Sequence, residues 1–209
     1  MSLLGEGVIA SWSEVDPAVI DDVRAWHSHE HIPERLTLPG FLRARRYAGL
    51  DGPTAWFILY EVETFAALTT PEYLARLNAP TDWTRRSIVH LRNSMRGLGK
   101  VVSSSGHYEG GFIATIRSPT IDRNTFDRFA CRCLEIPAII GVHLCATDRS
   151  ASTIPTKERA LRSVDTPGHF LIMESIDLAA LHTISRVAAT ALETPSRLDF
   201  FRLEMLATV

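Results

Sequence analysis

The sequence predicts an α+β protein in which one βαββαβ unit is used twice. Three observations favour this class. Apolar segments of the second half match segments of the first, each half alternates strand and helix periodicities in the same order, and the composition is that of a packed globular chain. The chain has 209 residues, of which 45% are hydrophobic, and a formal net charge of -2. This length suits one large domain or two small ones.

The duplication appears when the second half is slid over the first. Residues 7–11 match residues 111–115, a shift of 111 − 7 = 104, and residues 57–61 match residues 170–174, a shift of 170 − 57 = 113. The shift grows because the connection from Asp148 to Thr166 is longer than its counterpart from Ala48 to Pro53. We therefore predict two halves, residues 1–104 and 105–209, joined by a linker at Ser103 to Gly106.

The first half begins with a β-rich segment from Val8 to Val15. Asp16 and Pro17 then supply an N-cap and a first-turn proline for a helix, which Pro33 and the pair Pro39-Gly40 are expected to end. Alternation and turn signals predict the remaining elements. These are strands at 41–47, 56–62 and 94–102, a turn at 51–53, and helices at 64–77 and 83–91.

The second half repeats this order. Its predicted strands are 111–117, 142–147, 169–176 and 200–206, and its predicted helices are 124–134 and 177–192. A βαββαβ unit with right-handed crossovers is the ferredoxin-like motif, which covers one sheet face with two helices and leaves the other bare. We expect the two bare faces to meet as an α+β barrel. The alternative is two halves lying side by side, each paired with another subunit.

Charge and composition exclude several partners. The net charge of -2 and the pI near 6.4 provide no field that would hold nucleic acid. No apolar run approaches the roughly 20 residues of a membrane span, and the first residues lack the pattern of a signal peptide. Three cysteines cannot all pair, which favours reduced thiols. We expect a cytoplasmic protein that binds neither nucleic acid nor membrane.

One run of residues resembles a known group of proteins. Residues 31–36, 39–41 and 43–47 (HIPERL, PGF and RARRY) are similar to the dimeric α+β barrel superfamily, nearest to its EthD-like members. The resemblance covers most of the first half and only the strand pattern of the second. It implies the barrel fold, and activities that range from cofactor-independent monooxygenases to muconolactone-type isomerases. It also implies that His31 lies near the mouth of the barrel.

The candidate catalytic residue is His31, because an imidazole with an ordinary pKa of about 6.5 transfers protons near neutral pH. An alternative is that His31 caps or pairs locally with Glu34. His27, His31 and Glu34 would share a helical face if the helix continued past Pro33, and together they could bind a divalent metal. Since a proline separates these candidates, we predict no tightly bound metal, and we predict no organic cofactor.

Candidate substrate-binding residues come from strand alternation. Phe41, Arg43, Arg45 and Tyr47 share one face, which we assign to the bare side of the sheet, where the arginines could bind a carboxylate, phenolate or enolate. We place three aromatic residues on the same side, namely Trp12, Trp56 and Tyr60. The alternative is that these aromatic side chains only pack the two halves together.

The second half lacks the histidine run and has Cys133 to Pro137 in its place, so the predicted site is single. Its second strand is expected to put Val142, Leu144 and Ala146 on the equivalent face. A zinc site would require the thiols and imidazole of this half to converge, whereas buried cysteines are more often core residues. The candidates for such a site are Cys131, Cys133, His143 and Cys145.

Two functions remain open at this point. The first is an enzyme without organic cofactor, of isomerase, lyase or monooxygenase type, acting on a small aromatic or polyketide-like compound. The second is a non-catalytic protein that binds a small ligand or serves as an accessory. A homodimer is compatible with either.

Overall fold

The computed structural model describes residues 3–52, 55–191 and 197–209. Within these residues the strands are β1 (Gly7–Val15), β2 (Phe41–Gly49), β3 (Ala55–Val62), β4 (Leu91–Gly106), β5 (Phe112–Ser118), β6 (Ile139–Thr147), β7 (Val164–Asp165), β8 (His169–Ser175) and β9 (Arg197–Thr208). The α-helices are α1 (Ile20–Trp26), α2 (Ile32–Leu36), α3 (Pro71–Leu77), α4 (Asp82–Ile88), α5 (Arg123–Leu134), α6 (Arg149–Ser152) and α7 (Leu178–Ala191).

Eight of these strands close a barrel within the single chain. The first half contributes the order β4-β1-β3-β2 and the second half the order β9-β5-β8-β6. Antiparallel pairing of β2 with β9 and of β4 with β6 joins the halves. The two-residue strand β7 runs parallel to β4. The predicted fold of two ferredoxin-like units forming one α+β barrel is confirmed, and no second subunit is needed to close it.

Strand β4 corrects one prediction. Residues Ser103 to Gly106 are not a linker, because they form the end of this 16-residue strand and pair with β6, with Ser104 opposite His143. The same strand pairs with β1 through residues 91–100. The proposed boundary between residues 104 and 105 thus falls inside a strand that both halves share, and as a domain boundary it stays a prediction.

The first helical region continues further than the sequence suggested. The Asp16 side chain caps the 3₁₀ turn Pro17–Val19 by accepting a 3.1 Å hydrogen bond from the Ala18 backbone N–H. A π-helical turn, His27–His31, then follows α1 and leads directly into α2. Pro33 does not end the helix, because it lies in the first turn of α2, where a backbone N–H is not required.

Other boundaries differ less. The predicted helix 64–77 is divided into the 3₁₀ segment Phe65–Thr69 and α3, since Pro71 begins a new helix that Thr70 caps. The predicted elements at Pro53 and Leu192 lie outside the described residues. Within those residues, none of the helices combines the length and apolar character that crossing a membrane requires.

Side chains pack in three cores. One core lies between the helices and the outer face of the sheet in the first half, and a second occupies the same layer in the second half. The third fills the barrel interior with tightly buried side chains, mostly aromatic and aliphatic. It consists of Leu3, Val8, Ala10, Trp12, Tyr47, Phe57, Leu59, Ile113, Cys145, Phe170, Ile172 and Phe201.

Register decides which predicted residues face the interior. Tyr47 lies opposite Phe57, and Arg45 lies opposite Leu59, and directly opposed residues share a sheet face. Phe57 and Leu59 therefore point inward, and the prediction that Trp56 and Tyr60 face inward is wrong, since both belong to the helix-facing core. Phe41 is also in that core, because a register shift separates it from Arg43.

The second half requires a similar correction. Val142 and Leu144 point toward the helices of their own half, whereas Cys145 belongs to the interior core. The cysteines do not converge, because Cys131 is exposed and Cys133 is buried in the helix-facing core. The expected zinc geometry is therefore absent from these residues.

Candidate functional site

A small cavity lies between the helices of the first half and the outer face of its sheet. Its volume is about 40 Å³. Polar and aromatic side chains from both halves of the chain line it, together with Ile9, Ile58, Ile88 and Leu91. These side chains are Ser11, Trp26, His27, His31, Arg35, Tyr60, Tyr73, Arg96, Glu158 and Arg162.

The π-helical turn places two histidines at this cavity. His27 is 1% exposed and His31 8%, and their rings stack with centroids 5.5 Å apart. The Trp26 ring centroid lies 4.6 Å from that of His31. Arg46 Nη1 lies 3.3 Å from His27 Nδ1. His31 therefore lies in the layer between helices and sheet, not at the mouth of the barrel as the resemblance implied.

His31 has no proton-accepting or proton-donating partner at one nitrogen. Its Nδ1 is buried without a hydrogen bond to any residue of the described structure, and the Tyr60 hydroxyl is in the same situation. Burial, reinforced by the positive charges of Arg35 and Arg162, lowers the pKa of His31 well below 6.5. His31 is therefore neutral at pH 7. An unpaired buried polar atom costs about 1–3 kcal/mol, so two of them beside a cavity indicate a place for water or ligand.

Several guanidinium groups surround this imidazole. The buried Arg35 donates to Glu158 and, at 3.5 Å, to Glu34. Arg162 is half-buried, and burial lowers its pKa to about 10, with Arg96 and Arg159 acting in the same direction. Arg96 donates a hydrogen bond to the Tyr73 hydroxyl. The wall of the cavity is therefore rich in cations, and Glu158 is the carboxylate that lines it.

Glu158 and Arg162 belong to the long connection of the second half, residues 148–166, which we call the strap. Three hydrogen bonds attach the strap to the first half: Leu98 N to Ser152 Oγ at 2.9 Å, Lys157 N to Asn78 Oδ1 at 3.0 Å, and Glu158 N to Leu77 O at 3.0 Å. A second cavity, of about 30 Å³, shares Tyr73, Arg96, Glu158 and Arg162 with the first. The strap thus separates two adjoining cavities.

The predicted ligand-binding arginines lie elsewhere. Arg43 and Arg45 are inside the barrel, where their Nε atoms donate to Glu61 Oε1 at 2.9 and 3.0 Å. Arg45 Nη1 also donates to Glu174 Oε1 at 3.0 Å. The inward direction of both arginines is confirmed. Because buried carboxylates already engage them, we look for the anion-binding groups at the His31 cavity instead.

The remaining predicted residues divide between the two layers. Tyr47 and Trp12 pack against Phe57 in the interior, with ring centroids 5.9 and 5.0 Å from it. Trp56 lies under the Arg46 guanidinium, whose Cζ is 4.9 Å from its ring centroid. His31 and Tyr60 are the predicted site residues that line the cavity.

Sequence reasoning missed Arg35, Arg96, Glu158 and Arg162. Arg35 was within the resembling run, and the unequal connection lengths were a signal for the strap. The metal candidates are arranged differently from the prediction. Glu34 accepts from Arg76 at 2.9 Å as well as from Arg35, so its carboxylate is bound by arginines. Local pairing of His31 with Glu34 is not seen either.

Comparisons with known proteins address the fold. No protein-family model and no curated sequence matches this chain. A provisionally named monooxygenase from Fusobacterium nucleatum subsp. nucleatum ATCC 25586 superposes with a TM-score of 0.60 at 7% identity, over 98% of this chain and 95% of its own. For an anthrone oxidase-like protein the values are 0.61, 8%, 97% and 93%, and for a haem-binding protein from Thermus thermophilus they are 0.53, 9%, 98% and 93%.

These similarities define the class. The chain has the ferredoxin-like α+β barrel fold of the dimeric α+β barrel superfamily, as the sequence predicted. Identities below 10% carry no information about the reaction. The closer assignment to EthD-like proteins stays a prediction.

A haem does not fit the described cavity. About 40 Å³ has room for a few water molecules at most, since one water needs roughly 10–15 Å³ by this measure. The barrel interior is filled by side chains. The chemistry considered below therefore uses the chain's own residues.

Proposed function

We propose that this protein is a cofactor-independent enzyme that removes a proton from a small aromatic or polyketide-like compound bearing a phenol or enol. His31 acts as the base, and Arg35 and Arg162 stabilise the oxyanion. One observation supports the proposal most: a buried, neutral imidazole with an unpaired Nδ1 lines the same cavity as two guanidinium groups.

Each group has a role that its environment suits. The neutral imidazole accepts the proton at Nδ1, and negative charge develops on the substrate oxygen. Guanidinium groups held in place by the fold stabilise that charge without rearranging. An anion next to His31 also raises the pKa of the imidazole and so strengthens the base once substrate has entered. Tyr60 can donate its unpaired hydroxyl hydrogen to the same oxygen.

This proton transfer is the step common to three types of reaction. The resulting electron-rich carbon can take a proton at another position, expel a leaving group, or react with dioxygen. These outcomes correspond to isomerase, lyase and monooxygenase activity. The geometry of the cavity supports the shared first step.

Entry of substrate requires the strap to move. Ligand pockets usually measure roughly 300–1,000 Å³, far more than this cavity. Glu158 lies on the wall between the two cavities and occupies Arg35. We propose that the substrate anion takes the place of the Glu158 carboxylate on Arg35, and that displacement of the strap joins the two cavities.

A calorimetric titration with p-nitrophenol tests binding. We expect the affinity to fall roughly tenfold in His31→Ala, on the scale of one lost hydrogen bond to an anion. The matched control is His29→Ala, which removes the exposed histidine of the same run and should bind as the wild type does. Equal affinity in all three proteins, or no binding by any of them, would contradict the proposal.

Non-catalytic ligand binding is the second candidate, and the strap that closes the cavity favours it. Anthrone distinguishes the two, because it is a planar aromatic ketone with an acidic C–H group. Under anaerobic conditions in heavy water, an enzyme should accelerate exchange of the anthrone methylene hydrogens, and His31→Ala should not. A binding protein would leave the exchange rate at its uncatalysed value.

A further inference from the structure

We infer that a groove at the other end of the barrel binds a small organic molecule that carries a phosphate or carboxylate group. The groove lies at the Ser118 end of β5, whereas the Glu174 network lies near the start of that strand. Its volume is about 430 Å³, within the usual range of ligand pockets. It shares no lining residue with the His31 cavity.

Positive charge dominates the groove. Three arginines from separate elements line it: Arg117 from β5, Arg149 from α6 and Arg197 from β9. No acidic residue is among the lining residues of this groove in the described structure. Asp199, which lies nearby, is shared, since it accepts from Arg117 and, at 3.0 Å, from Arg197 Nε. Arg149 has no ion pair with any described acidic residue. The arginines therefore exceed the local carboxylates.

Hydrogen-bond donors in the wall lack acceptors. The Arg117 side chain is 10% exposed, yet its Nε has no acceptor among the described residues. The buried Thr166 hydroxyl is also without a partner there. The Arg117 guanidinium lies 5.1 Å above the Trp12 ring centroid, which fixes its orientation. Unpaired donors on a cationic wall favour a ligand rich in acceptor oxygens, as phosphates and carboxylates are.

Apolar side chains complete the groove. Met95, Pro119 and Pro167 line it beside the arginines. An inorganic ion would leave this surface uncovered, whereas an organic body attached to the anionic group would cover it. The combination defines the ligand class as an anionic organic molecule and not a free ion.

Calorimetry with phenyl phosphate tests the inference. We expect saturable binding that weakens roughly tenfold or more in Arg149→Glu, because that variant replaces an attractive charge with a repulsive one. The matched control Arg85→Glu reverses an exposed arginine on α4, remote from the lining residues, and should bind as the wild type does. Benzamidine, a cation with the same ring, should not bind.

Further arms separate the ligand sources and the two sites. Competition by benzoate and by inorganic phosphate tells whether a carboxylate or a phosphate is preferred, and inorganic phosphate should compete more weakly than phenyl phosphate. Thr166→Val should weaken binding without altering the fold. His31→Ala should leave phenyl phosphate binding unchanged. Unchanged affinity in both Arg149→Glu and Thr166→Val, or loss of binding in His31→Ala, would overturn the inference while leaving the proposed function to its own test.

Discussion

The guanidinium of Arg45 in the first half donates a 3.0 Å hydrogen bond to the carboxylate of Glu174 in the second, deep inside the barrel. Arg45 also binds Glu61, which is the counterpart of Glu174 in the duplication, at 174 − 61 = 113 residues. His143 lies opposite Ile172 as Arg45 lies opposite Leu59, so His143 is the counterpart of Arg45. The two halves therefore kept the carboxylate and diverged at the cation.

Replacing Arg45 by methionine should destabilise the protein by about 3–5 kcal/mol, because Glu61 and Glu174 would lose a buried positive partner. Urea denaturation measures the free energy of unfolding. Arg85→Met, an exposed change, is the control and should stay within about 0.5 kcal/mol of the wild type. A loss below about 1 kcal/mol in Arg45→Met would show that the network is not a structural requirement.

The free energy of unfolding should depend on pH through His27 and His31. Burial lowers the pKa of both below 6.5, aided by the charge of His31 on His27 and of Arg35 on His31. The unfolded state therefore binds more protons than the folded state below about pH 6.5, and stability is lost as the pH falls from there. Each histidine contributes up to about 1.4 kcal/mol per pH unit.

Urea denaturation between about pH 7 and 5 measures this dependence, since 6.5 is the ordinary pKa of histidine. His31→Gln should show a smaller loss of stability over that interval than the wild type. His29→Gln, from the exposed position of the same run, serves as the control. Identical pH dependence in the wild type and His31→Gln would show that His31 is not held neutral by its surroundings.

Glu158→Gln should bind p-nitrophenol more tightly than the wild type, by roughly tenfold. The substitution removes the carboxylate that occupies Arg35, so the ligand no longer competes with an internal anion. Calorimetry gives the affinity, and Glu72→Gln, from an exposed position on α3, is the control. Weaker binding in Glu158→Gln would mean that Glu158 helps to hold the ligand, and the proposed displacement would be wrong.

Sequence periodicity predicted the fold well, because each strand of this barrel has one face on the helices and one on the interior. Assignment of faces was harder. The choice for Trp56 and Tyr60 failed because an aromatic side chain suits either layer, and only the pairing of β2 with β3 decides between them. Arg43 and Arg45 were placed correctly, since consecutive odd positions of one strand share a face.

The site was only partly predictable for a related reason. His31 stood out through its local sequence, whereas its cationic neighbours come from distant parts of the chain. Glu158 and Arg162 reach the cavity through the strap, whose path over the first half depends on contacts such as Leu98 N to Ser152 Oγ. Nothing in residues 148–166 themselves specifies that path. The length difference between the two connections was the available signal.

The most direct test of the proposed site is the ionisation of a bound phenol. A spectrophotometric pH titration of p-nitrophenol bound to the protein reports the pKa of the ligand itself. If Arg35 and Arg162 stabilise an oxyanion, the pKa of the bound ligand should lie at least about one unit below that of the free phenol, equivalent to about 1.4 kcal/mol. Arg162→Met should reduce this difference. A bound-ligand pKa equal to or above the free value would contradict an anion-stabilising site at His31.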